Sequence, residues 1–254
     1  MSAPDPAPVA EVRGRALVIG ASSGIGAELV RGLVRDGWRI GAVARRAAEL
    51  EALRAECGAE RVVTRVHDVK AVAEVPALFE ELVKALGGLD ALYYAAGIMP
   101  AVAPDEFDTA KDAEIVAINT TGAIAWCNPA AEYFQSRRAG TIVGISSIAG
   151  DRGRKGNPAY GASKAALSHY LEALRNRLGD YGVHVCTIKP GPVATPMTAA
   201  LGDLPGIVPV ERAAREILAA VRRRANVRYV PLRWLGVSLV IRAIPSAIFR
   251  RLSI

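Results

Sequence analysis

The stretch Arg15-Ala16-Leu17-Val18-Ile19-Gly20-Ala21-Ser22-Ser23-Gly24-Ile25-Gly26 decides the fold. Ala16 to Ile19 is an unbroken apolar run, without the alternation of a sheet wetted on one face. It suits a strand buried on both faces of a parallel sheet. Glycines then follow in the spacing Gly-x-x-x-Gly-x-Gly, and Ile25, Leu29, Leu33 and Val34 recur at helical intervals until Gly37. Strand, glycine turn and helix in succession is the setting in which a glycine motif holds a dinucleotide. The glycines let the backbone approach a pyrophosphate, and the helix N-terminus favours its charge. The spacing is not Gly-x-Gly-x-x-Gly, so an ordinary tight turn remains the alternative at this point.

The alternation continues along the chain. Apolar runs predict strands over 39–44, 61–66, 91–95, 141–145, 184–189 and 227–230. Helical periodicity predicts helices over 46–56, 71–86, 108–138, 158–178 and 209–224, with Pro129 a candidate kink. There is no tandem repeat and no linker long enough to separate domains. The pattern implies a single α/β Rossmann-like domain over 13–231, a doubly wound parallel sheet with helices on both faces. A proline-rich lead-in over 1–12, expected to be disordered, precedes it, and a basic, apolar segment over 232–254 follows. In such a sheet ligands bind at the carboxyl ends of the strands. Gly20, Gly97, Ser147 and Pro190 all follow strand ends and can converge on one crevice.

Tyr160 and Lys164 lie four residues apart within the helix predicted over 158–178, so they share a face. An adjacent ammonium favours phenolate, and the tyrosine pKa is expected to fall. That would make Tyr160 a general acid/base near neutral pH. Ser147, at the end of the run Thr141–Ile145, can aim its hydroxyl at the atom the tyrosine protonates. On spacing alone, Tyr-x-x-x-Lys also suits an ordinary pair on a helix surface.

Composition narrows the classes. Cys57, Cys127 and Cys186 are scattered and lack metal spacing, which suits reduced thiols in a reducing, cytoplasmic setting. His67, His169 and His184 form no cluster, and no metal site is expected. The formal net charge is +7, but the chain from Arg222 onward holds eight arginines and no acidic residue, leaving about −1 (7 − 8) for the remainder. The basic character belongs to the tail and does not make this a nucleic-acid-binding domain. No apolar run reaches the ~18 residues a membrane span requires.

Taken together, the motifs resemble the short-chain dehydrogenase/reductase superfamily from about Arg13 to about Thr195. The resemblance rests on Gly20-x-x-x-Gly24-Ile25-Gly26, Asp68-Val69, Ala95-Ala96-Gly97, Asn119, Ser147, Tyr160-x-x-x-Lys164 and Pro190-Gly191-Pro192-Val193-Ala194-Thr195, in the family's order. It implies a nicotinamide dinucleotide and a small-molecule carbonyl or alcohol substrate. It assigns Tyr160 as acid/base and Lys164 as the contact to the nicotinamide ribose. Ser147 would bond the substrate oxygen, and Asn119 would hold a helix distortion and a relay water. Gly20, Ser22, Ser23, Gly24, Ile25, Gly26, Ala96, Gly97, Pro190, Gly191 and Val193 would border the cofactor. Asp68 would meet the adenine amino group, with Val69 beside it, and Thr195 would lie near the carboxamide and phosphates. The family often has Asn-Asn-Ala-Gly where this chain has Tyr94-Ala95-Ala96-Gly97, which puts local stability in question. The resemblance also implies a homodimer or homotetramer through the helices containing Asn119 and Tyr160.

The end of the second strand bears on cofactor choice. A carboxylate there accepts bonds from both ribose hydroxyls of NAD(H). Here the family's acidic position falls on Ala44, and Arg45 and Arg46 follow. Guanidinium groups suit a 2′-phosphate, so NADP(H) is expected over NAD(H). Ile98, Met99, Ile148, Ala149, Met197 and Leu201 are candidate pocket lining, suited to an apolar substrate such as a lipid-like, steroid or aromatic ketone. In the tail, Leu235, Leu239, Val240 and Ala243 recur at helical spacing before Pro245, with Ile248, Phe249 and Leu252 beyond. That stripe suits packing on the domain, a subunit or an anionic membrane surface. Two further readings stay open: a dinucleotide-sensing regulator without turnover, and a membrane-peripheral, lipid-modifying reductase.

Overall fold

The computed structural model describes residues 12–199, 202 and 204–252. The lead-in up to Glu11, and Leu201, lie outside the described residues. The first half of the chain contributes β1 (Gly14–Ile19), α1 (Gly24–Arg35), β2 (Trp38–Ala44), α2 (Ala47–Cys57), β3 (Val62–Val66), α3 (Val75–Leu86) and β4 (Ala91–Tyr94). Then come α4 (Thr109–Val116), α5 (Gly122–Arg137), β5 (Thr141–Ile145), α6 (Pro158–Leu178) and β6 (His184–Pro190). The last part contains β7 (Val193–Ala194), β8 (Val208–Pro209), α7 (Val210–Arg222), β9 (Val227–Val230), α8 (Arg233–Ala243) and α9 (Ser246–Phe249). Seven strands form one sheet in the order β3-β2-β1-β4-β5-β6-β9. Every pairing in it is parallel, as the continuous apolar runs predict. The doubly wound α/β architecture expected from the sequence is the one observed.

Alternate side chains of each strand feed two cores. On one face Val18 and Ile40 pack beneath Leu29 and Leu33 of α1 and Ile217 and Leu218 of α7. On the other, Leu17, Leu92 and Ile142 pack beneath Leu82 and Leu86 of α3, Trp126 and Phe134 of α5, and Leu167 and Leu171 of α6. The glycine motif docks α1 tightly onto the turn before it. A Cβ on Gly26 would lie 2.1 Å from the Gly20 carbonyl oxygen, a backbone atom that cannot swing aside.

Three expectations need correction. The helix predicted over 108–138 is interrupted by a π-helical turn over Ala117–Thr121, which periodicity does not register but which falls at Asn119, where the resemblance implies a distortion. The helix predicted over 71–86 begins as a 3₁₀ turn over Val72–Glu74 and becomes α-helical from Val75, with Pro76 in its first turn. In the tail, α8 turns Ser238 inward, while Leu235, Leu239 and Val240 stay exposed. The α8 part of the stripe therefore faces away from the domain, whereas Phe249 of α9 is buried. Polar bonds and a few apolar contacts fasten the segment, as described below.

Candidate active site

A cavity of about 800 Å³ opens over the carboxyl ends of the central strands. Its nucleotide end is built by the β1–α1 turn and the end of β2. Gly20, Ser22, Ser23, Gly24 and Ile25 line it, with Arg45 and Arg46 opposite. Ser23, at the N-cap of α1, makes no capping bond, so the N–H groups of the first turn carry no side-chain cap. Arg46 donates to Ser22 Oγ at 2.8 Å and to Ser23 Oγ at 2.6 Å, and pairs with Glu49 at 3.3 Å. Arg45 is exposed on the rim and makes no hydrogen bond or ion pair among the described residues. His67 and Val69 close this end. His67 is buried edge-on against Trp126, and its Nδ1 has no partner.

Two predicted cofactor residues are not on the cavity wall. Gly26 is buried in the helix–turn contact, where its lack of a side chain serves packing. Asp68 folds back to accept from the Lys70 backbone N–H at 3.0 Å, which leaves Val69 and His67 as the wall. Ala96, Gly97, Pro190, Gly191, Val193 and Thr195 do line the cavity.

At the centre stand Ser147, Tyr160 and Lys164. Ser147 caps a 3₁₀ turn over Ile148–Asp151, accepting from the Ala149 N–H at 3.1 Å. Lys164 is 4% exposed and donates to the Ile145 carbonyl at 3.0 Å. Its ammonium lies 5.8 Å from the centre of the Tyr160 ring. The expected drop in the tyrosine pKa is not found. Burial raises it, and the nearby Ser147 hydroxyl draws it back only in part. Desolvation acts on both partners, because burial also lowers Lys164 from the ordinary 10.5 to about 8. Without a ligand the centre favours a neutral phenol, the form that can donate a proton.

Burying Lys164 costs stability. The unfolded chain holds the lysine proton more tightly than the folded one, so the penalty is fully present below pH 8 and fades as pH rises towards 10.5. The gap corresponds to about 3 kcal/mol, and losing the bond to Ile145 offsets about 1 kcal/mol or more. Lys164→Met is therefore expected to stabilise the cofactor-free chain by about 1–2 kcal/mol at pH 7 and to lose that advantage near pH 10. Denaturant titrations of both proteins at the two pH values measure this. An equal difference at both would rule out the desolvated lysine as its cause.

Asn119 is fully buried in the π-helical turn and does not reach the cavity wall. Its Oδ1 accepts from the Ile98 N–H at 2.8 Å. Its Nδ2 donates to the Ile98 carbonyl and to Ser163 Oγ, both at 3.0 Å. Ser163 in turn donates to the Tyr160 carbonyl at 2.8 Å. The side chain thus ties the distorted helix to the strand-end loop and to the helix carrying the tyrosine. Tyr94 supports the same turn: its buried hydroxyl donates to the Ile118 carbonyl at 2.5 Å. A phenol thus braces the turn in a chain that lacks both amides. Tyr94→Phe would orphan a buried carbonyl and is expected to cost about 1–3 kcal/mol. Thermal denaturation tests it, and an unchanged midpoint would remove Tyr94 from this role.

Asn157 was not singled out in the sequence, although Asn before Pro is a helix-start signal. It adopts φ 40°, accepts from the Tyr160 N–H at 3.0 Å, and donates to the Pro100 carbonyl at 2.7 Å. It joins the start of α6 to the loop across the cavity. At this end Ile98, Met99, Ile148, Ala149 and Met197 line the wall, as expected.

The tail is fastened behind this wall. Asp151 Oδ1 accepts from Lys189, while Oδ2 accepts from Tyr229 at 3.0 Å and from Ser238 at 2.5 Å. Arg152 donates to the Arg242 carbonyl at 2.9 Å and lies 4.6 Å from the Phe249 ring centre. Trp234 packs so closely on Gly191 that a Cβ there would sit 2.1 Å from the indole nitrogen. No described helix is long and apolar enough to cross a membrane.

A parallel sheet with a glycine turn at its first crossover, and a serine, a tyrosine and a lysine gathered at the mouth, defines a dinucleotide-dependent oxidoreductase. The chain belongs to the short-chain dehydrogenase family, whose model matches residues 15–204. It is 39% identical over 188 residues to an uncharacterized oxidoreductase of Myxococcus xanthus, covering 72% of this chain and 74% of that protein. An uncharacterized oxidoreductase of Mycobacterium tuberculosis is 29% identical over 247 residues, 94% of this chain and 97% of that one. Among solved structures, a short-chain dehydrogenase from Sphingobium yanoikuyae in complex with NADPH superposes with a TM-score of 0.79 at 26% identity. That match covers 92% of this chain and 97% of the other.

Proposed function

We propose that the chain interconverts a carbonyl and a secondary alcohol with NADP(H) in preference to NAD(H), with Tyr160 as acid/base. The observation that carries this reading is Ser147 and Tyr160 together on the wall of one cavity, with Lys164 buried among them and its ammonium 5.8 Å from the tyrosine ring centre. The cavity fits the cofactor on three counts. The first turn of α1 has no side-chain cap, Arg46 and two serine hydroxyls stand beside it, and a buried histidine nitrogen lacks a partner. When bound, the nicotinamide supplies or accepts the hydride. Ser147 and Tyr160 bond the substrate oxygen as negative charge grows there, and Tyr160 Oη donates the proton. Lys164 holds positive charge below them and Asn119 fixes the backbone on which they stand. The apolar wall around Met99, Ile148 and Met197 receives the body of the substrate. Loss of NADPH absorbance across a panel of ketones and aldehydes tests the reading. Cofactor binding without turnover of any member would leave a dinucleotide-sensing regulator instead.

The cytoplasmic setting rests on three free cysteines, two of them buried. The exposed Leu235, Leu239 and Val240 favour a surface contact for α8, with a second copy or an anionic bilayer. Light scattering and liposome flotation separate these: a monomer that ignores vesicles excludes both.

A further inference from the structure

The proposed reaction uses the cavity's nucleotide end and its centre, and one charged wall residue then has no task. Arg154 lines the cavity in the segment between Ser147 and Tyr160. It makes no hydrogen bond or ion pair among the described residues, and its Nε is buried without an acceptor. The guanidinium is partly desolvated, and burial lowers its pKa. Its one nearby carboxylate is already engaged, because Asp151 serves Lys189, Tyr229 and Ser238. No aspartate or glutamate lines the cavity among the described residues, so the wall offers this cation no counter-charge.

Position separates Arg154 from the phosphate end. Arg46 follows β2 and the Arg154 segment follows β5, three places further across the sheet, roughly 14 Å at ordinary strand spacing. Away from the nucleotide end the same cavity is lined largely by apolar residues, Met99, Pro100, Val102, Ile148 and Met197 among them. A guanidinium with no partner among the described residues, on a wall rich in apolar residues, is suited to receive a planar monoanion with an apolar body.

We propose that Arg154 reads a carboxylate on the substrate, so that the enzyme acts on an amphipathic oxo or hydroxy acid rather than a neutral ketone. This deepens the reading above and rests on it for the reaction. Binding tests it independently of turnover. Hexanoate, octanoate and decanoate, each beside its primary amide, are titrated calorimetrically into the 254-residue chain holding NADP. The carboxylates are expected to bind about ten- to a hundredfold tighter than the amides. Arg154→Met should bring each pair to parity, and Arg154→Lys should restore part of the preference. Equal binding by the wild type, a preference that survives Arg154→Met, or no binding of any carboxylate overturns the proposal. The two readings fail separately. Neutral ketones turned over with no carboxylate preference sink only the role of Arg154. A preference dependent on Arg154 without carbonyl turnover sinks only the reaction.

Discussion

Tyr160→Phe is expected to lower turnover by about 10²–10⁴-fold while cofactor affinity stays within a factor of a few. The ring is kept, so packing against α6 and the loop before it survives, and only the proton donor is lost. Because burial raises the tyrosine pKa in the free site, the phenol persists through neutral pH and reduction needs no prior protonation. Oxidation needs the opposite state. Its rate should rise with pH through the alkaline range, while the reduction rate falls there. Rates measured in both directions over pH for wild type and variant decide the matter. A variant with wild-type turnover, or two profiles of the same shape, would remove Tyr160 as the acid/base.

Arg46→Ala is expected to weaken NADP(H) binding by ten- to a hundredfold and to leave NAD(H) nearly unchanged. A charge-assisted bond to a phosphate contributes roughly 1.5–3 kcal/mol, and only NADP(H) carries the 2′-phosphate. The structure changes the weight between the two arginines. Both are exposed, but Arg46 already bonds both serine hydroxyls of the turn, so its fork is held at the nucleotide end, whereas Arg45 makes no hydrogen bond or ion pair among the described residues. Arg45→Ala should therefore cost less than Arg46→Ala. Fluorescence titration of both cofactors into each variant gives the four affinities. A parallel fall for NAD(H) and NADP(H) in Arg46→Ala would make the residue a brace for Ser22 and Ser23 and nothing more.

Strands buried on both faces announce themselves, because nothing polar interrupts them. Thr141–Ile145, in the middle of the sheet, is observed with the bounds that its apolar run predicts; the edge strand Val227–Val230 and the helix Pro158–Leu178 also keep their predicted bounds. Features set by a distant partner do not announce themselves. The π-helical turn at Asn119 adds no apolar signal, and its brace comes from Tyr94, a strand residue 24 positions from Ile118. The two-residue strands β7 and β8 are too short for any period to show. Periodicity found the stripe on α8 but not its direction, since polar contacts through Ser238 and Arg152 decide which side faces the domain. Arg154 had no sequence signal, because an arginine in a loop is ordinarily solvated. Only the engagement of Asp151 with other donors makes it stand out.

Asp151 also imposes an order on assembly. Its partners Lys189, Tyr229 and Ser238 lie 38, 78 and 87 residues later in the chain. A chain emerging from the ribosome can pair β1 to β4 and close the nucleotide end long before Ser238 exists. The turn bearing Ser147 acquires this anchor only after residue 238 has been made. A chain cut before Ser238 would lack one of the three donors that hold Asp151, and with it one tie on the turn that carries Ser147.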